Sequence, residues 1–82
     1  MVEILIVDDD EGMRSMLSVF VERLGHNPSC ASSLKEGIQA ASSKAFDVVF
    51  LDLIMPDGNG LSALAKFRTA QSTELSITEE MH

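Results

Sequence analysis

Eighty-two residues with a formal net charge of −7 describe one small domain, near the size at which a single hydrophobic core becomes marginal. Apolar residues make up 45% of the chain, which excludes a disordered segment, and the acidic balance argues against direct nucleic-acid binding, which wants a basic face; it suits a cation or a basic partner. The one cysteine, Cys30, cannot form an internal disulfide, the Met1-Val2-Glu3 start lacks the basic region of a signal peptide, and no apolar run approaches the length that spans a bilayer, so a cytoplasmic location without membrane contact is expected.

Ile4-Leu5-Ile6-Val7 is a fully apolar run that ends in Asp8-Asp9-Asp10-Glu11. It reads as a strand buried on both faces, feeding acids into a loop. Met13, Met16, Leu17, Phe20, Val21 and Leu24 then share one face of a helix, and that face is expected in the core. Asp10 or Glu11 would cap this helix, since acids favour its positive end. Gly25 would end it, and His26 is expected as a solvated turn residue. Residues 28–31 make a short, weak strand in which Cys30 acts as a small buried hydrophobe. Ser33-Leu-Lys-Glu36 has the form of a capping box, and Leu34, Ile38 and Ala41 mark a second helix to about Ser43.

The next stretch, Asp47-Val-Val-Phe-Leu-Asp52, is the one around which the chain is organised. Val48-Val49-Phe50-Leu51 fits a short strand buried on both faces, and Asp52 sits where it stops. Pro56, Gly58, Asn59 and Gly60 write a loop. Leu61, Leu64, Ala65 and Phe67 or Arg68 mark a third helix to about Ala70. An acid at the C-terminal end of a buried parallel strand stands where α/β sheets place ligand chemistry; the alternative is a solvated loop carboxylate or a helix cap.

The β-α-β-α-β-α alternation argues a parallel sheet with right-handed crossovers. The doubly wound order 2-1-3 sets strand one beside strand three and so brings Asp8 and Asp9 next to Asp52. Carboxylates gathered in this way repel one another unless something neutralises them. Mg²⁺ does so with few protein ligands and suits a shallow, open site. Asp52 could then attack phosphorus as a carboxylate nucleophile and form an aspartyl phosphate. The competing reading, in which the acid run only caps the first helix, is weakened by acids standing at two strand ends.

Leu5-Ile-Val-Asp-Asp-Asp and Leu51-Asp-Leu-Ile-Met-Pro-Asp-Gly-Asn-Gly-Leu resemble the receiver domain of two-component response regulators. Met13-Arg14 after the acid run also fits. The resemblance covers residues 3–70 and leaves 71–82 as a tail. It implies a flavodoxin-like fold, Mg²⁺ as cofactor and a sensor histidine kinase as partner. It implies Asp52 as phosphoacceptor, Asp9 and Asp52 as direct Mg²⁺ ligands, Asp8 acting through water or from behind, and the Ile54 carbonyl completing the set.

The chain departs from that pattern after about three β-α units. The family's fourth strand ends in a Ser or Thr and its fifth in a Lys, both reaching the phosphoryl group. No Lys follows Lys66, and only residues 74–78, Glu-Leu-Ser-Ile-Thr, imitate a fourth strand, with Thr78 at its end. The expectation is therefore a single incomplete receiver domain over residues 1–82, an N-terminal fragment that acts as a phosphoacceptor and not as an enzyme. A phosphorylation-incompetent module that dimerises is the alternative. A phosphatase or phosphotransferase is disfavoured, because Ile54 stands where its second acid would be and no P-loop occurs. With its fourth strand missing, strand three should offer a bare apolar edge. A two-fold or strand-exchanged homodimer is expected to cover that edge.

Overall fold

The computed structural model describes residues 1–52, 54–70 and 76–80. Strand β1 (Glu3–Val7) leads to helix α1 (Glu11–Arg23), strand β2 (Asn27–Ala31), helix α2 (Leu34–Ser43) and strand β3 (Val48–Asp52). A small ladder follows, β4 (Ile54–Met55) with β5 (Gly58–Asn59), then helix α3 (Gly60–Ala70) and strand β6 (Ser76–Glu80). The main sheet has the order β2-β1-β3-β6, and its strand pairs are all parallel. This is the doubly wound α/β arrangement with the 2-1-3 order anticipated from the apolar runs.

Alternation along the strands divides the core. Leu5, Val7, Val49 and Leu51 face one way, where they pack with Leu34 and Ala41 of α2 and with Ala63 and Phe67 of α3. Ile4 and Ile6 face the other way and meet Val21 and Leu17 of α1, alongside Val48 and Phe50. Strands read as apolar on both faces are buried because helices lie on both sides of them.

Three sequence expectations are corrected on the α1 side. Met16, Phe20 and Leu24 belong to the helical face expected in the core, yet Phe20 is 59% exposed and the other two are similarly open. Among the described residues α1 is the only helix on this side of the sheet, so just the centre of its apolar stripe reaches the strands. Cys30 is exposed rather than buried, with its sulfur 3.0 Å from Ser18 Oγ. It lies on the outermost strand β2, where its neighbour on α1 is the polar Ser18 and no strand pairs on its far side. His26 is half-buried and not a free turn residue: its Nδ1 accepts from Val2 N–H at 3.2 Å. The Gly25 expectation holds, since that residue leaves α1 at φ 84°, a conformation that costs glycine little.

The β3 edge is not bare. Strand β6 pairs along it from Val48↔Ser76 to Asp52↔Glu80. The tail thus supplies a fourth strand, two residues further along the chain than residues 74–78. It satisfies the backbone groups of β3 within the same molecule, and with that goes the reason given for a two-fold or strand-exchanged dimer. Weak alternation and two terminal acids hid this strand, because edge pairing draws on backbone groups that every residue carries. Removing residues 71–82 should uncover the edge and cause self-association at micromolar concentration, while the intact chain sediments as a monomer. A shortened chain that stays monomeric and folded would contradict this. No helix among the described residues is long and apolar enough to cross a membrane.

Candidate metal centre

The sheet positions the acids. Strands β1 and β3 run side by side with Val7 opposite Leu51, so the residues that follow, Asp8 and Asp52, emerge together at the C-terminal edge. Both are buried, with 2% and 1% of their surface exposed, whereas Asp9 is open to solvent. One carboxylate oxygen from each of Asp8, Asp9 and Asp52 lies within 4.8 Å of the others. The grouping expected from strand order is therefore present.

Local hydrogen bonds fix these side chains. Asp8 is anchored on both sides of its backbone: its N–H donates to the Ala31 carbonyl at 3.1 Å, and its own carbonyl accepts from Arg14 Nη1 at 2.9 Å. Its Oδ1 accepts from Asp10 N–H at 3.0 Å. Asp10 in turn caps α1, accepting from the N–H groups of Gly12 and Met13 at 2.9 and 3.4 Å. The acid run is thus split by role: Asp10 closes the helix, and Asp8 and Asp9 belong to the cluster. Asp52 Oδ1 accepts from Ile54 N–H at 3.1 Å, and its Oδ2 is buried too. Ile54 approaches the cluster through its backbone while its side chain is exposed.

The donor set fits a hard divalent cation. It consists of carboxylate oxygens, two of them held out of water, and like charges this close are costly without a counter-charge. An exposed Asp9 leaves one side open for ligand entry. The cavity of about 410 Å³ between α2 and α3 is lined by Leu34, Lys35, Asp57 and Lys66 among others, and includes none of the three acids.

Asp57 has a role that its local sequence did not reveal. It sits at the tip of the β4–β5 ladder, and its two carboxylate oxygens accept from Leu34 N–H and Lys35 N–H, each at 3.1 Å. This ties the segment that carries Ile54 to the first turn of α2. Ser33 caps the same helix by accepting from Glu36 N–H at 3.1 Å. The reciprocal half of the expected capping box is displaced: Glu36 reaches Ser32 N–H and Oγ instead of Ser33. A cap contributed from 23 residues downstream leaves no short-range signature, and Pro-Asp-Gly reads only as a turn.

The bonds from Leu34 and Lys35 hold the Asp57 carboxyl below its ordinary value of 3.8. A depressed folded-state pKa contributes stability above the unfolded value and loses it as pH falls through the folded one. Thermal melts should accordingly show the parent above Asp57→Asn near neutral pH. The gap should narrow as the pH falls below 3.8 and close beneath the lower folded-state value. A gap that persists in acid would assign the difference to something other than this carboxylate.

A family model described as response regulator receiver domain matches residues 4–78. Among curated proteins, the sensory/regulatory protein RpfC of Xanthomonas campestris pv. campestris is 32% identical over 74 residues, which are 90% of this chain and 10% of that protein. The response regulator ArlR of Staphylococcus aureus is 32% identical over 77 residues, 94% of this chain and 35% of that protein. Among solved structures, a response regulator protein from Burkholderia pseudomallei with a phosphorylated aspartic acid, calcium ion and citrate superposes with a TM-score of 0.91. It is 25% identical, and the match covers 99% of this chain and 47% of that one. The chain therefore spans from 10% to 35% of the length of these two curated relatives. With the strand order, the edge acids and a family match across nearly its whole length agreeing, the chain belongs to the response regulator receiver domains.

Proposed function

We propose that this receiver domain takes a phosphoryl group from a phosphohistidine of a sensor histidine kinase onto the carboxylate of Asp52. The observation that carries the reading is the convergence of Asp8, Asp9 and Asp52 within 4.8 Å at the ends of two adjacent parallel strands. In the transfer, the P–N bond to the donor imidazole breaks as a P–O bond to Asp52 forms, and the released imidazole takes up a proton from solvent. Asp52 is oriented for this by Ile54 N–H on Oδ1. Asp8, Asp9 and Asp52, with the backbone of Ile54, would hold Mg²⁺, which when bound neutralises the carboxylates and the incoming phosphoryl oxygens. The Burkholderia relative's phosphorylated aspartic acid and calcium ion support the same pairing of chemistry. The domain is a substrate of the kinase and not itself an enzyme. An exposed free Cys30 suits a reducing cytoplasm.

One observation favours a second reading, an interaction module with weak or no phosphorylation. Thr78, the candidate phosphoryl-contacting hydroxyl, pairs with Phe50 and not with Asp52. The rung of Asp52 is taken by Glu80 instead. Incubation with acetyl phosphate and Mg²⁺, followed by intact mass measurement, separates the readings. Slow, partial addition of one phosphoryl group, absent in Asp52→Ala, is expected. No addition at all would leave the interaction module, and rapid complete addition would show that a hydroxyl at the rung of Asp52 is dispensable.

A further inference from the structure

Helices α2 and α3 lie side by side on one face of the sheet and leave a trench between them. Its first part is the cavity of about 410 Å³ described above. A second cavity of about 380 Å³ adjoins it, shares Ile38 and Lys66 with it, and runs on to Ser42 and Thr69. Leu34 and Ala63 are buried and Ile38 is half-buried, so the floor is apolar. Lys35 on α2 and Lys66 on α3 are exposed and stand on opposite rims. We infer that this trench is a docking site for an acidic amphipathic helix of a partner protein. The inference goes beyond the receiver reading and does not depend on it.

Shape and charge select that occupant together. From Lys35 to Ser42, α2 advances roughly 10 Å. A helix with apolar side chains at i, i+4 and i+7 presents a row of that length, so its anchors can follow the floor while its flanks meet the rims. A compact ligand would fill one cavity and leave the other open. The charge of the rims runs against that of the chain, which is −7 overall. Lys44 is paired with Glu3, and Arg14 is bonded to the Asp8 carbonyl. Among the described residues neither Lys35 nor Lys66 has an ion-pair partner. Asp57, the carboxylate in the lining, is engaged by the N–H groups of Leu34 and Lys35. The Debye length at moderate salt is about 10 Å, so the two ammonium groups outweigh the chain's remoter acids in the field that a docked carboxylate meets.

The test uses the whole chain in chelator, so that no cation at the acid edge can recruit carboxylates. The probe is a fluorescein-labelled peptide with leucines at i, i+4 and i+7 and glutamates at the flanking positions, read by anisotropy. Saturable binding is expected for this peptide and not for the same peptide with lysines in place of the glutamates. An exposed ion pair contributes little by itself, so Lys35→Gln or Lys66→Gln alone should weaken binding about twofold and the double variant roughly three- to tenfold. Both side chains are exposed, and circular dichroism should show these variants folded as the parent is. Phe20→Ser, which breaks the apolar stripe of α1 beside Arg23, should leave the affinity unchanged. Absence of saturable binding by the parent would overturn the inference. So would equal binding of the two peptides or parental affinity in the double variant. A loss in Phe20→Ser as large as that in the double variant would overturn it too, by moving the docking to α1.

Discussion

Saturating Mg²⁺ is expected to raise the unfolding temperature of this chain, and Asp52→Ala or Asp9→Ala is expected to abolish the rise. The cation has its ligands in the folded state only, since Asp9 and Asp52 lie on segments more than forty residues apart that the sheet brings together. Binding to the folded state alone stabilises by the linkage relation, so a cation at ten times its Kd contributes about 1.4 kcal/mol. In a domain of this size that shifts the midpoint by roughly 6–10 °C. Asp57→Ala should keep the shift, because the Asp57 carboxylate is engaged by the N–H groups of Leu34 and Lys35. The same cluster predicts an opposite result without the cation. Asp52→Asn keeps an acceptor for Ile54 N–H and removes one of three mutually repelling charges, so in chelator it should melt above the parent. A parent whose midpoint is indifferent to Mg²⁺, or an Asp52→Ala variant that responds as the parent does, would remove the metal centre.

What the sequence disclosed follows from how far each signal reaches. Two apolar runs ending in acids, Ile4 to Asp8 and Val48 to Asp52, carry the sheet and the site together, because a strand buried on both faces must be interior and its end must lie at the sheet edge. The helices were legible from spacing, yet their burial was not. Leu17 and Val21 pack on the sheet while Phe20, on the same stripe, stays in solvent. Periodicity states which side chains share a face and says nothing of whether a second helix covers it. The β4–β5 ladder has the sequence of a loop, since two residues per strand cannot display an alternation. Asp57 was missed because its partners, Leu34 and Lys35, lie on another element. Strand β6 alternates weakly, yet β3 needs a neighbour; the requirement of a paired edge is a better guide than the pattern of the tail.

Phe67→Ala is expected to remove cooperative folding. Phe67 is fully buried and belongs to the cluster that joins α3 to Leu5, Val7, Val49 and Leu51 of the sheet. Its ring reaches across to α2, where Gly37 leaves room for it: a Cβ built at Gly37 would stand 3.1 Å from Phe67 Cζ and 2.9 Å from Val7 Cγ2. The ring thus fills the junction of α2, α3 and β1, the side of the sheet that backs the acid edge. Truncating a buried phenylalanine costs about 3–5 kcal/mol through lost transfer energy and the cavity left behind. Small domains hold little more than that in total. Phe67→Leu retains most of the volume and should cost less than about 1.5 kcal/mol, leaving a folded protein with a lowered midpoint. Gly37→Ala should also destabilise, by about 1–3 kcal/mol of overpacking against a helix-propensity gain of no more than about 1 kcal/mol. Urea unfolding followed by circular dichroism separates these outcomes. A sharp Phe67→Ala transition close to the parental midpoint would mean that α3 contributes little to the core, and that the acid edge is held by β1, β3 and α1 alone.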